Sequence, residues 1–435
     1  MSKSVSWIVL SCAIVLIPST SLAQHQHPPA NPQPPTADQH QHPGPSNVTA
    51  AAPLAREGSG TSWLPEATPM YAVHGALGKW ETMVHGIGFL QYLHDGEPRG
   101  QQQFGSINWL MFSGRRAALG GHLSLRGMFS LEPLTISDCG YPDLLASGEV
   151  CNGAPIIDRQ HPHDLLMEIA GTYDRQLSSG LMLQIYGGAA GEPALGPVAF
   201  PHRPSALSNP LAPISHHWLD ASHITFGVLT AAIADRRWKL EGSLFNGREP
   251  DEDRYDLNLD ALDSYSGRVT FLPTARVAVQ FSAGHLEEAE QQDASRVDVD
   301  RVTASAVYHV PRANGGLWAT TLAWGRNQEE GEATHALLAE TTLFIADRDV
   351  IFGRAELVQK SSHDLGVDEL DDRFDLLKLQ IGYSRFLRPM AGWRAGLGGS
   401  VSAGIVPEGL ATVYGGRVTP GAAVFLVIRP AATLH

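Results

Sequence analysis

Beyond residue 23 the sequence has no run of 18 or more apolar residues, so none of its helices could cross a bilayer. Charge is scarce too: only 17% of the 435 residues are Asp, Glu, Lys or Arg, and the formal net charge is -14. That shortage of basic residues excludes nucleic acid and an anionic inner-membrane surface as partners. Cysteine is limited to three residues, Cys12, Cys139 and Cys151. No Gly-x-Ser-x-Gly nucleophile elbow occurs, and the chain is not expected to be an enzyme.

The first residues carry an export signal. Lys3 supplies a positive start, Trp7 to Ile17 an apolar stretch, and Ser21-Leu22-Ala23 a small-x-small cleavage site before Gln24. Residues 1–23 are therefore expected to be a signal peptide that takes Cys12 with it. In an oxidising compartment the remaining pair, Cys139 and Cys151, reads as one disulfide, with two buried thiols as the alternative.

Residues 24–69 form a His/Pro-rich arm containing HQHPPANPQPP and DQHQHPGPS. Such a composition cannot bury a core, so the arm is expected to be disordered, extended and solvated on the periplasmic side. His25, His27, His40 and His42 alternate with other residues, and neutral imidazoles on an extended chain can converge on Cu(II), Ni(II) or Zn(II). An incidental low-complexity linker is the competing reading.

Residues 70–435 have a different texture. Segments of about 10 to 14 residues alternate apolar and polar side chains, the signature of strands with one face to lipid and one to a lumen. In the segment His122 to Phe129, the polar His122, Ser124 and Arg126 share one face, and Leu123, Leu125 and Phe129 the other. Strands are expected near 80–92, 104–115, 119–130, 165–175, 180–190, 222–234, 236–247, 263–273, 275–286, 300–311, 315–327, 333–346, 349–360, 372–387, 391–404 and 416–429. The gaps between them alternate long and short, with 328–332 among the long ones. The fold class is thus all-β: a transmembrane antiparallel β-barrel of about 16 strands, with short periplasmic turns, long extracellular loops and both termini periplasmic. Outer-membrane lipid is its expected partner, with Trp80, Tyr92, Trp238 and Trp318 suited to the interfaces. Parity places Arg126, Lys239, Arg268, Arg354 and Lys378 in the lumen beside Glu168, Asp174, Glu241 and Glu356.

Two loops hold the other candidate residues. Loop 131–164 contains the cysteine pair and ends with His161 and His163 between acidic residues. Loop 191–221 is Pro-rich and apolar, so it is expected to fold against the wall or into the lumen. It ends with His216, His217 and Asp220, and His223 follows at the start of the next expected strand. These residues form a candidate metal cluster, with loop anchoring as the competing reading. The acidic loops, such as Glu287, Glu288 and Glu290, either raise cation concentration at a pore mouth or are ordinary solvated surface.

The layout of signal, His-rich arm and barrel resembles the copper-resistance outer-membrane protein B family, although the arm here contains no Met. The pieces Arg159-Gln160-His161-Pro162-His163-Asp164 and Gly247-Arg248-Glu249-Pro250-Asp251-Glu252 resemble a group of uncharacterised proteobacterial outer-membrane β-barrel proteins. The resemblance implies export to the outer membrane of a Gram-negative cell and a link to divalent metal. The expected function is a porin-like or loop-plugged barrel for divalent metal binding, transport or resistance of the copper type. No cofactor is required. The alternatives are a structural barrel with a sealed lumen and, ranked below it, a lipid-modifying enzyme.

Overall fold

A computed structural model describes residues 56–431 except 138, 179, 291–296, 347 and 371–372. The signal segment 1–23 and the arm histidines His25, His27, His40 and His42 lie outside the described residues.

β1 (Ala72–Leu77) makes a hairpin with the first half of β2 (Trp80–Asp95). β3 (Gln102–Ala118) and β4 (Gly121–Phe129) come next, followed by β5 (Tyr141–Cys151) and β6 (Ala154–Gln160), a two-stranded sheet of their own. The wall resumes with β7 (Leu166–Gln176), β8 (Met182–Ala190), β9 (Val228–Ala234), β10 (Trp238–Phe245), β11 (Ser264–Thr274) and β12 (Val277–Glu290). It continues through β13 (Val297–Arg312), β14 (Gly316–Glu329), β15 (Glu332–Ile345), β16 (Asp349–Ser361), β17 (Arg373–Phe386), β18 (Trp393–Ile405) and β19 (Val418–Pro430). Closure comes from β19, whose Gly421–Ile428 pairs antiparallel with Asp95–Gly88 of β2. The wall is a closed antiparallel barrel of 16 strands, β2 to β4 and β7 to β19. Closure pairs the edge groups that an open sheet would leave bare in lipid.

The alternation behaves as the sequence suggests. On β10 the side chains of Lys239, Glu241 and Ser243 are buried inward, while Leu240 and Leu244 are 58% and 51% exposed outward. Every wall strand contributes at least one such outward apolar side chain, from Leu90 on β2 to Ile428 on β19. A soluble monomer does not expose a continuous apolar belt of this kind, whereas a bilayer covers it.

Each expected strand is present, with ends displaced by a few residues. The largest displacement is at 222–234, where the strand starts only at Val228, so His223 belongs to the preceding loop. The long-short alternation breaks once. Instead of a longer 328–332 loop, β14 and β15 meet in the two-residue turn Glu330–Gly331, with φ of 47° and 90°. Glycine tolerates that left-handed second position, and the turn's twist matches the strands. The cysteine pair is a disulfide, Cys139–Cys151, which ties the chain just before β5 to the end of β5 beside the β5–β6 turn.

The lumen is filled. Loop 191–227 runs inside it, with Ala194, Leu195, Ala199 and Arg203 buried. Buried backbone groups need partners, and the inward polar side chains of the wall supply them. Ser243 accepts from the Ala194 amide at 2.8 Å, Ser282 from Gly196 at 2.9 Å and Glu356 from Ser215 at 3.0 Å. Arg354 donates to the Leu211 carbonyl at 2.9 Å. Parity thus placed the inward charges correctly, and most of them dock a plug or pair with one another. Arg126 meets Glu168 at 2.9 Å, and Arg268 meets Glu241 at 2.9 Å.

One expectation about the arm needs correcting. Its last residues, from Arg56 to Pro69, are packed inside the short-turn end of the barrel, with Trp63 and Leu64 buried. Lys239 donates to the Thr61 carbonyl and Arg126 to that of Gly60, each at 2.5 Å. Trp63 and Leu64 supply the apolar area that the more polar, Pro-rich residues ahead of them lack.

Candidate functional site in the lumen

Loops 130–165 and 191–227 meet inside the barrel, and the candidate histidines of both meet with them. His217 lies 5.9 Å from His161 and 5.4 Å from His216, ring centroid to ring centroid. His161 and His216 are 6.1 Å apart, His216 and His223 5.1 Å, and His223 and His163 5.3 Å. Five imidazoles from two loops therefore form one continuous file. Phe200 packs beside it, 5.3 Å from His216 and 5.9 Å from His163.

All five rings are held in the same way. Nδ1 of His161 faces Glu149 at 3.1 Å, that of His163 faces Glu132 at 3.0 Å, and that of His216 faces Asp220 at 2.9 Å. For His217 the partner is Glu249 at 3.1 Å, and for His223 it is the Asp220 carbonyl at 2.8 Å. An oxygen acceptor at Nδ1 takes the ring proton, so in a neutral ring the lone pair lies on Nε2. This is how proteins orient metal-binding histidines. Nε2 of His161, His217 and His223 is buried with no hydrogen-bond partner among the described residues. Such an atom costs about 1–3 kcal/mol to leave unsatisfied, which marks it as a functional candidate.

Asp220, a candidate ligand from sequence, is already committed as an anchor. Its carboxylate takes the Arg203 guanidinium at 2.6 Å, the Phe200 amide at 2.8 Å and the His216 ring. Burial opposes its charge, but Arg203 and His216 hold it below the usual carboxylate range. Burial also lowers the histidines: His216 to about 4, and His161 and His223 well below 6.5. These rings are neutral at pH 7 and thus ready to bind a cation. His163 shifts upward, because Glu132 outweighs its burial.

Gly148 adjoins the file, with φ of 127°, and a Cβ there would lie 2.1 Å from His217 Nε2. Only glycine leaves that nitrogen clear. At the long-loop end a cavity of about 200 Å³ reaches His217 past Glu329, Glu330, Glu332 and Asp364. Such a cluster of acids focuses cations. The file is a series of neighbouring ring pairs rather than a closed three-ligand centre. Among the described residues, three ligand atoms lie within 4.8 Å of one another at His285, Glu287 and Asp298, on the outer part of the β12–β13 hairpin.

Sequence reasoning missed His85 and His202. His202 follows Phe200 by two residues, and its ring is 5.8 Å from His85 on β2. Inward parity on β2 was the available signal for His85. His202 had none, because its position depends on how the loop folds.

No protein-family model and no curated protein matches the chain, so the copper-resistance resemblance stands on layout alone. Solved structures do match. OmpF of Salmonella typhi, solved in complex with daunomycin, is 9% identical with a TM-score of 0.51, covering 82% of this chain and all of that one. A loop L8 deletion mutant of OmpT, an outer-membrane protein of Vibrio cholerae, is also 9% identical, with a TM-score of 0.46 over 80% of this chain and 99% of its own. At such identities the likeness is one of fold: the chain has the fold of an outer-membrane, porin-like β-barrel.

Proposed function

We propose that this chain is an outer-membrane barrel that binds borderline divalent metal ions, Cu(II), Ni(II) or Zn(II), and passes them along the histidine file of a loop-plugged lumen. The carrying observation is that five imidazoles from two separate loops adjoin one another, each with Nδ1 fixed by an oxygen. Neutral imidazole suits these metals, and a chain of two-ring stations suits movement better than storage, because conduction needs sites that also release. The acidic cavity above His217 supports inflow from the long-loop end. His25, His27, His40 and His42 precede the segment that enters the opposite end, which makes them a second capture point on the periplasmic side.

Metal titration of the full chain in detergent tests this reading. Wild type is expected to bind Cu(II) and Zn(II), and His161→Gln with His216→Gln to weaken that binding at least tenfold. Equal binding by both proteins would remove the metal role. A sealed structural barrel would then be the better reading, supported by the buried ion pairs that dock loop 191–227.

A further inference from the structure

A second cavity, of about 50 Å³, lies between the N-terminal segment, strands β2 and β3, and the turn Phe200–His202. It differs chemically from the file. Met83 and His85, two positions apart on β2, share its inward face, and Met111 on β3 pairs directly with His85 in the strand register. His202 enters from the loop side, and Met70 from the N-terminal segment completes the sulfur lining.

Methionines at such positions are ordinarily core filler, and buried filler leaves no space between its side chains. Here a cavity remains, and imidazoles line it beside the thioethers. Nδ1 of His85 bonds the Tyr71 carbonyl at 2.7 Å, leaving Nε2 as the lone-pair nitrogen. The His202 ring lies 5.8 Å from that of His85 and 4.7 Å from that of Trp109, centroid to centroid. A metal bound at ~2.0 Å from nitrogen lies roughly 3 Å from the ring centroid. The 5.8 Å between the His85 and His202 centroids therefore lets both rings reach one ion.

We infer that this cavity is a binding site for a soft monovalent cation, Cu(I) or Ag(I), held by the thioethers of Met83 and Met111 and the imidazoles of His85 and His202. Thioether sulfur favours soft closed-shell ions over Zn(II) or Ni(II), which separates this site from the histidine file in ligand preference. The inference does not depend on the file carrying metal.

Ag(I) is the probe, since it needs no reductant and leaves the disulfide intact. Calorimetric titration of the full chain in detergent is expected to show Ag(I) binding that Met83→Leu with Met111→Leu weakens at least tenfold, leucine being close to methionine in volume. His202→Gln, on the loop rather than the wall, is expected to weaken it as well. H161Q with H216Q should leave Ag(I) binding unchanged while lowering Zn(II) binding, so the two readings fail separately. Wild-type affinity and stoichiometry for Ag(I) in both M83L/M111L and H202Q would overturn the inference, as would a wild-type protein that binds no Ag(I).

Discussion

Arg203, in the middle of the loop that fills the lumen, donates from Nε to the carboxylate of Glu340 on the barrel wall at 2.7 Å, with both side chains almost completely buried. The same guanidinium reaches Asp220 at 2.6 Å, so a single cation ties the plug to the wall and holds the residue that orients His216. Removing this cation leaves the buried Glu340 with Arg354 as its remaining cation, at 3.2 Å, and Asp220 with only the His216 ring and the Phe200 amide.

Arg203→Ala is therefore expected to cost about 3–5 kcal/mol of plug docking while the wall stays intact. In planar bilayers the wild-type barrel should conduct monovalent ions weakly, and the variant should show larger openings. Protease should cut within 191–227 in the variant alone. Identical conductance and cleavage would show that the loop is held by other contacts.

The disulfide joins cysteines 12 residues apart, and closing a loop of that size is worth about 3 kcal/mol in the chain-entropy account. Cys139→Ser with Cys151→Ser should expose the β5–β6 hairpin to protease and leave barrel resistance to heat and detergent unchanged. Because that hairpin carries Glu149, the partner of His161, metal affinity should fall several-fold as well.

Gly148→Ala tests the geometry of the file without touching a histidine. The added Cβ would sit 2.1 Å from His217 Nε2, at a φ of 127° that L residues rarely adopt. We expect about tenfold weaker Zn(II) binding, since lost orienting contacts at metal sites cost roughly 10–100-fold. An unchanged titration would place His217 outside the metal path.

Glu192, at the start of the inserted loop, has its carboxyl raised to about 8 by burial, with Arg268 opposing. Its folded value lies above the ordinary 4.5, so between those two pH values the folded loop holds a proton that the undocked loop lacks. The stabilisation is complete below about 4.5 and is lost as pH rises through 8. Hydrogen exchange of loop 191–227, corrected for its intrinsic pH dependence, should therefore speed up between pH 5 and 8 by this contribution and level off above 8, and Glu192→Gln should flatten the rise. A slope that persists in E192Q would assign the effect elsewhere.

The wall was legible in the sequence because lipid and lumen impose a two-residue period on every strand, and that period also identified the inward charges from Arg126 to Lys378. The interior was less so. β5 lies in a loop and is buried on both faces over most of its length, so it carries no alternation, and the packing of Trp63 appears only once there is a lumen to receive it. His161 and His163 were visible in one loop and His216, His217 and His223 in another, but their meeting depends on both loops turning inward. Met83 and His85 were within reach of the parity argument. His202, set by a single short turn after Phe200, was not.

Metal flux through reconstituted protein is the most direct test of the histidine file. Proteoliposomes holding a metal-sensitive dye should admit Cu(II) or Zn(II) with wild type, and His161→Gln/His216→Gln/His217→Gln should reduce the rate at least tenfold without opening the barrel to monovalent ions. Equal flux through wild type and the triple variant, or none above protein-free liposomes, would contradict passage along the file.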